Sequence, residues 1–287
     1  MCTRVTDSDN SCVALTEFSG VPSWTMLDIL VSQSESELLS DLLWSLGVVA
    51  VEEREASDEF VTLRTSLGED LTPVRDAIEV RFPQASISIA HIDRNVADTW
   101  RTHAIPTWVN EQVVLCPAWV DSPDAAYVIR IEPAETFGLG NHPTTVLALR
   151  LGLRHCSSNS KVFDFGCGSG VLAIGMAKIL QCVSYVFDIA HNAQKVVRAN
   201  NDLNGTHTTW CTNSQKLQAD LVFANILAPV LIAESDLIKS SVRNSGLIVL
   251  SGLRNDQIED VMRSYGDCKE LERESQEGWT SLVLQKV

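Results

Sequence analysis

Three glycines alternate with single residues at Gly166, Gly168 and Gly170, between the apolar run 161–165 and a second apolar run, 171–180. A strand, a turn and a helix in that order bring bare backbone close to a ligand. Glycine accepts positive φ, and the first turn of a helix leaves its N–H groups unpaired. Asp188 closes the next apolar run, 22 residues after Gly166. A carboxylate at that strand end can accept both hydroxyls of an adenosine ribose. Asp164 stands two places before the first glycine, where it would repel a pyrophosphate and attract an ammonium or sulfonium group. The spacing G-x-G-x-G, in place of the dinucleotide pattern G-x-G-x-x-G, agrees with that preference. The loop therefore predicts S-adenosyl-L-methionine rather than NAD as the ligand. The plainer alternative, a structural strand-to-helix turn with a solvated aspartate, leaves Asp188 without a role.

Two further segments carry polar groups of the right kind. Phe137-Gly-Leu-Gly-Asn-His-Pro-Thr-Thr145 leads into a helix expected over 146–153. Pro143 suits a helix start, and the hydroxyls of Thr144 and Thr145, with the free N–H groups of a first turn, can meet a ligand carboxylate. The run 220–225 reads as a strand ending in Asn225, whose amide can hold the methyl-donor region or an incoming amine; a plain turn-forming Asn is the ordinary alternative. His142 reads as a loop hydrogen-bonder rather than a base, and Phe137 offers an aromatic face to a cation.

The elements that must position these residues fall into two groups. From residue 161 onward, strand-like runs at 162–165, 185–187, 220–225 and 246–251 alternate with helical patterns at 171–180, 193–203 and 229–238. That alternation predicts an α/β fold, a mostly parallel sheet with helices on both faces and its ligand at the carboxyl ends of the strands. Ahead of it the chain reads as strand 24–31, a helix opened by Ser34 and stopped at Gly47, strands 48–52 and 60–65, helix 74–82 and strand 85–92. This is the order of a split βαβ, ferredoxin-like α+β domain. The expected organisation is a disordered extension over 1–22, a ferredoxin-like domain over 23–92, and a linker over 93–110 anchored by Trp100, Arg101, Pro106 and Trp108. The catalytic α/β domain then spans 111–287, with strands at 113–116 and 127–131 leading in.

Composition narrows the classes of function. The chain has 287 residues with a net charge of −15, and no apolar run approaches the roughly 18 residues of a spanning helix. A soluble, cytoplasmic protein without direct nucleic-acid contact is expected, since such a charge repels a phosphate backbone. Residues 1–92 hold 16 acidic and 5 basic side chains, against 21 and 17 in the remainder. The excess either keeps the protein soluble or steers a basic macromolecular partner, and charge alone does not choose. The 8 cysteines show no C-x-x-C pair and no finger spacing to histidine, so neither a metal site nor a disulfide framework is expected, and a reducing compartment fits. Asp7, Asp9 and Glu17 near the start argue against a mitochondrial presequence.

Over residues 24–287 the chain resembles the ribosomal protein L11 methyltransferase family, the bacterial PrmA type. The resemblance rests on FGLGNHPTT from Phe137, VFDFGCGSGVLAIG from Val162, FDIAHNAQKVVRANNDLNG from Phe187, DLVFANIL from Asp220 and GLIVLSGL from Gly246. It implies a class I methyltransferase Rossmann-like domain behind a small ferredoxin-like domain that recognises a large-subunit ribosomal protein. It also implies methyl transfer from S-adenosyl-L-methionine to lysine side chains or the N-terminal amine. Residues similar to the family's cofactor contacts are Thr145, Gly166, Asp188 and Asn225, to which the loop reading adds Asp164, Gly168 and Gly170. No general base is assigned; Asn225 is the candidate for positioning the amine. The chain departs from the family where F-G-T-G-T-H becomes Phe137-Gly-Leu-Gly-Asn-His142 and D-I-D becomes Asp188-Ile-Ala190. These departures keep two alternatives open: a methyltransferase of another protein or a small molecule, and a cofactor-binding relative without activity.

Overall fold

The computed structural model describes residues 23–46, 48, 51–55, 57, 59–65, 72–93, 104–132, 140–190, 192–211 and 217–287. The expected extension 1–22, the anchors Trp100 and Arg101, and Phe137 to Leu139 of the second loop lie outside these residues. The chain divides into two compact units, Met1–Thr102 and His103–Val287.

In the first unit, alternation of apolar residues sets the strands and a leucine stripe sets the first helix. Strand β1 (Ser23–Ser32) is followed by helix α1 (Ser36–Ser45), strands β2 (Val51–Glu55) and β3 (Phe60–Thr65), helix α2 (Thr72–Arg81) and strand β4 (Ser86–Asp93). The sheet order is β2-β3-β1-β4 with every neighbouring pair antiparallel, so each βαβ unit is split by a strand of the other. Leu27, Ile29, Val31, Val61 and Leu63 point to one face and bury against Leu39, Leu43, Val74 and Ile78 of the helices. Each such side chain contributes about 1.5–3 kcal/mol when taken from water. On the opposite face Arg64 donates Nε and Nη2 to the two carboxylate oxygens of Asp28, both at 2.5 Å, and this pairing holds the Asp28 carboxyl below its ordinary range.

The second unit opens with a three-stranded sheet of β5 (Thr107–Trp108), β6 (Val113–Pro117) and β7 (Tyr127–Ile131). There follow α3 (Pro143–His155), β8 (Lys161–Phe165), α4 (Val171–Leu180), β9 (Val183–Phe187), α5 (Ala193–Asn204), β10 (Thr208–Trp210) and β11 (Ala219–Asn225). The chain closes with α6 (Ala228–Ala233), α7 (Ser235–Ser241), β12 (Val242–Arg254), α8 (Ile258–Arg263), β13 (Cys268–Gln276) and β14 (Trp279–Lys286). The seven-stranded sheet runs β10-β9-β8-β11-β12-β14-β13. It is parallel from β10 to β12 and antiparallel at β14, as expected of a mostly parallel sheet. Its order reverses between β8 and β11, which makes the carboxyl ends of those two strands the place for a ligand. Leu149, Ile174 and Met176 of α3 and α4 cover one face against Val162, Phe223 and Val249. Ile238, Val261 and Tyr265 cover the other, against Phe163, Val222 and Ile248. Among the described residues no helix is long and apolar enough to cross a membrane.

Three expectations about elements are corrected. The strand expected over 48–52 does not include Val48, whose N–H reaches back to the Leu43 carbonyl at 3.3 Å; β2 is Val51–Glu55. That six-to-one bond closes the end of α1, and Val48 packs in the helical core instead of opening a strand. The single helix expected over 229–238 is two, α6 and α7. The Tyr265 hydroxyl donates to the Leu231 carbonyl at 3.0 Å, taking the acceptor that a continuous helix would give to Ser235. The third is the strand expected over 246–251, which extends to Val242–Arg254 because its neighbours β11 and β14 pair with it beyond both ends.

Candidate active site

Asp164 sits in the middle of the sheet, in register with Val186 of β9 and Phe223 of β11, and is 1% exposed. Its Oδ2 accepts the Ala173 N–H of α4 at 3.2 Å, while its Oδ1 is buried with no hydrogen-bond partner. Burial, opposed by the Ala173 N–H and reinforced by the charge of Asp188, pushes its carboxyl up to about 7. A buried carboxylate oxygen without a donor is costly unless a ligand supplies one. The same environment holds the Cys167 thiol well above its ordinary pKa, chiefly by burial, so Cys167 is protonated and no nucleophile.

The glycine loop follows. Gly166, Gly168 and Gly170 take φ of +77°, +51° and +79°. The Gly166 and Cys167 N–H groups both donate to the Phe187 carbonyl at 2.8 and 3.0 Å, which ties the loop to the end of β9. Asp188 Oδ2 accepts the Gly168 N–H and Oδ1 accepts the Ala190 N–H, each at 2.8 Å. Each of these oxygens keeps a second lone pair, the acceptor set a ribose diol requires.

The remaining site residues meet at the neighbouring strand ends. Thr145 is buried in the first turn of α3, and Asn225 ends β11; the Asn225 Nδ2 donates to the Thr145 Oγ1 at 3.4 Å. The Ser251 hydroxyl of β12, beside Asn225, bonds the Thr144 carbonyl at 2.9 Å and the Ser281 hydroxyl at 2.6 Å, which fixes the start of α3 against the sheet. His142 caps α3: its Nδ1 accepts the Thr144 N–H at 3.4 Å and its ring stands edge-on to Trp279 with centroids 4.8 Å apart. Burial lowers its pKa, which keeps Nδ1 able to accept. His142 is therefore the hydrogen-bonding residue its position suggested.

The two halves of the site join at Ile226. A Cβ on Gly166 would lie 2.3 Å from Ile226 Cγ2, and one on Gly252 would lie 2.5 Å from the Ile226 carbonyl oxygen. Asn225 is placed by what those two glycines leave room for. Gly166→Ala should destabilise the fold by about 1–2 kcal/mol from the left-handed backbone alone, lowering Tm by a few degrees. It should also weaken S-adenosylmethionine binding several-fold through displacement of Asn225. Scanning calorimetry and a binding titration test this; an unchanged Tm would mean that Ile226 yields freely.

The structure thus brings Asp164, Gly166, Gly168, Gly170 and Asp188 together at the carboxyl ends of β8 and β9, and Thr145 and Asn225 together beside them. One contributor escaped the reading of the sequence. Asn200, fully buried on α5, donates to the Ser169 carbonyl of the loop at 2.9 Å and to the Glu132 carbonyl at 3.0 Å, and accepts the Glu132 N–H at 2.9 Å. Asn204, one turn on, makes the same two-way bond to Arg130. The i, i+4 asparagines in an otherwise amphipathic helix were the available signal.

A family model described as ribosomal protein L11 methyltransferase (PrmA) matches residues 23–287. The chain is 29% identical over 290 residues to the ribosomal protein L11 methyltransferase of Shewanella sp. (strain ANA-3), across 91% of this chain and 98% of that one. It is 30% identical over 287 residues to the corresponding protein of Shewanella woodyi, with the same coverage. Among solved structures, the ribosomal protein L11 methylase of Lactobacillus delbrueckii subsp. bulgaricus matches with a TM-score of 0.58 and 25% identity, over 63% of this chain and 99% of that one.

Proposed function

The chain belongs to the ribosomal protein L11 methyltransferase (PrmA) family, and on that premise we propose that it transfers methyl groups from S-adenosylmethionine to amino groups of ribosomal protein L11, lysine side chains first among them. The observation that carries the cofactor is the buried Asp164 Oδ1, an acceptor without a donor on the strand that leads into the glycine loop. It fits a ligand bearing an ammonium or sulfonium group and is hostile to a pyrophosphate. When bound, S-adenosylmethionine supplies a methyl group on a positively charged sulfur, open to attack by an amine.

This chain's residues do the rest by binding and orientation. Asp188 takes the ribose hydroxyls, the glycine loop, bare of side chains at Gly166, Gly168 and Gly170, lets the cofactor approach the backbone, and Asp164 faces its positive end. Asn225, held by Thr145, turns its amide carbonyl toward the incoming amine. A lysine of pKa about 10.4 is neutral in only about one molecule in a thousand at pH 7.4, so the site must exclude water to favour the free base. Positioning supplies much of the remaining rate. The test is incubation of the full chain with S-adenosylmethionine and L11, read by mass spectrometry as increments of one methyl group mapped to lysines or to the N-terminus. Cofactor binding without transfer would favour a relative that lacks activity, and transfer to other proteins but not to L11 would favour a different substrate.

Residues 23–92 serve in this reading as the docking domain for L11, 93–110 as the linker, and 111–287 as the catalytic domain, in a cytoplasmic enzyme that makes no direct nucleic-acid contact. A protein built to sit on ribosomal RNA presents basic surface, which the acidic first third complements. Glu52, Glu53 and Glu59 are exposed; Glu55 and Asp58 complete the cluster in the sequence. Replacing all five by their amides should raise KM for L11 two- to fivefold at low salt with kcat unchanged, the gap closing as salt screens the charges. Equal KM and equal salt dependence in the two proteins would return the cluster to a solubilising role.

A further inference from the structure

The two long helices that frame the cofactor loop, α3 and α4, end near each other on cysteines. Cys156 follows the last residue of α3 and caps it, its N–H bonded to the Gly152 carbonyl at 2.9 Å; Cys182 comes two residues after the end of α4. The two sulfurs converge on one acceptor: Cys156 Sγ lies 3.7 Å and Cys182 Sγ 3.8 Å from the Ser157 carbonyl oxygen. Cys156 is partly exposed and Cys182 is 6% exposed, so Cys156 is the more accessible residue of the pair. Both are free thiols, and no cluster of metal-ligating residues occurs among the described residues.

We propose that Cys156 and Cys182 form a vicinal dithiol site that low-molecular-weight disulfides oxidise to an intramolecular bridge, with Cys156 as the attacking and Cys182 as the resolving thiol. The greater exposure of Cys156 assigns it the attack on a small disulfide arriving from solvent. The Cys156 thiolate attacks one sulfur of R–S–S–R, forming a mixed disulfide and expelling RS⁻. Cys182 then gives up its proton and attacks the Cys156 sulfur, the Cys156–SR bond breaks, and a second RS⁻ leaves. The two protein thiol protons end on the two RSH released, and two electrons pass from the protein to the small disulfide.

The ring so closed contains β8, the glycine loop and α4, the part of the fold that grips the cofactor. The bridge therefore acts on the segment in which Asp164 and the loop glycines lie, although neither cysteine touches the site. Constraining the unfolded chain over this span should raise Tm by roughly 5–10 °C.

The experiment treats the reduced full chain with oxidised glutathione, digests it without reductant and maps disulfides by mass spectrometry, with Tm measured before and after and again after dithiothreitol. A peptide linking Cys156 to Cys182, reversed by reductant and accompanied by the rise in Tm, is the expected result. Cys182→Ala should stop the reaction at a stable glutathione adduct on Cys156, and Cys156→Ser should abolish both species. A glutathione adduct that persists on Cys156 in the unaltered chain, an unreactive Cys156, or a bridge that lowers Tm by distorting the helix ends would overturn the proposal.

Discussion

Replacing Asp188 with alanine is expected to weaken S-adenosylmethionine binding about 100-fold while leaving the chain folded. Hydrogen bonds to a charged acceptor are worth about 1.5–3 kcal/mol each. Losing two ribose bonds at the lower figure gives about 3 kcal/mol, which is two decades in affinity. The side chain stands at a strand end rather than in either core cluster, so no cavity opens. Alanine also releases the Gly168 and Ala190 N–H groups, which loosens the loop the cofactor must fit. Asp188→Asn separates the two contributions: it keeps one carbonyl acceptor but turns an amide NH₂ toward one of those N–H donors, and should fall between parent and alanine variant. Titration calorimetry at fixed salt, with Tm alongside, is the measurement. Equal affinity in parent and alanine variant would place the adenosine elsewhere and remove Asp188 from the site.

Asp188 is legible in the sequence because its position depends on local order alone: a glycine loop, one helix, one strand, then an acid. The same holds for Gly166, Gly168, Gly170 and Asp164, which share one strand–turn–helix. Thr145 and Asn225 lie 80 residues apart and meet only because β11 and β12 place Asn225 and Ser251 side by side under the start of α3. Residue types made them candidates, and sheet order made them neighbours. Asn200 shows where such reasoning stops. Its three hydrogen bonds go to backbone groups of Glu132 and Ser169, which carry no side-chain signature in a sequence.

The edge strand β13 is illegible for a different reason. β13, Cys-Lys-Glu-Leu-Glu-Arg-Glu-Ser-Gln, alternates between half-buried and exposed positions without apolar alternation, because its inner side faces charge. Arg150 pairs with Glu274 at 2.5 Å, and Arg154 and His155 pair with Glu272, so the basic end of α3 covers the acidic side of the edge strand. Charged edge strands resist pairing with other chains, and the same choice hides them from a reading of hydrophobic period. In the first unit the misplaced start of β2 has a converse cause: Val48 is apolar because a helix terminus needs a hydrophobic contact, and in sequence such a residue looks like the opening of a strand.

Asp164→Asn should separate stability from binding, and pH should do the same in the unaltered chain. The folded carboxyl, at about 7, holds a proton that the unfolded carboxyl, near 3.8, has already lost between those two values. The folded state binds more protons there, so the contribution of this group to stability is complete below pH 3.8 and is lost as pH rises through about 7. Cofactor binding runs the other way. A positive ligand favours the ionised carboxylate, so below pH 7 its arrival must expel the proton, and above pH 7 it need not. Affinity for S-adenosylmethionine should accordingly rise about tenfold between pH 6 and pH 8, with about one proton released per ligand at the lower pH. Asparagine has the same shape and no charge to bury. The variant should melt higher than the parent at pH 8, bind the cofactor at least tenfold more weakly there, and release no proton through this group at pH 6. The amino group of the ligand itself titrates near 8, and the variant serves as the control that subtracts it. Calorimetry in two buffers of different ionisation enthalpy counts the protons. If parent and variant release the same number and bind equally well at pH 8, the unpaired oxygen of Asp164 does not face the positive end of the cofactor.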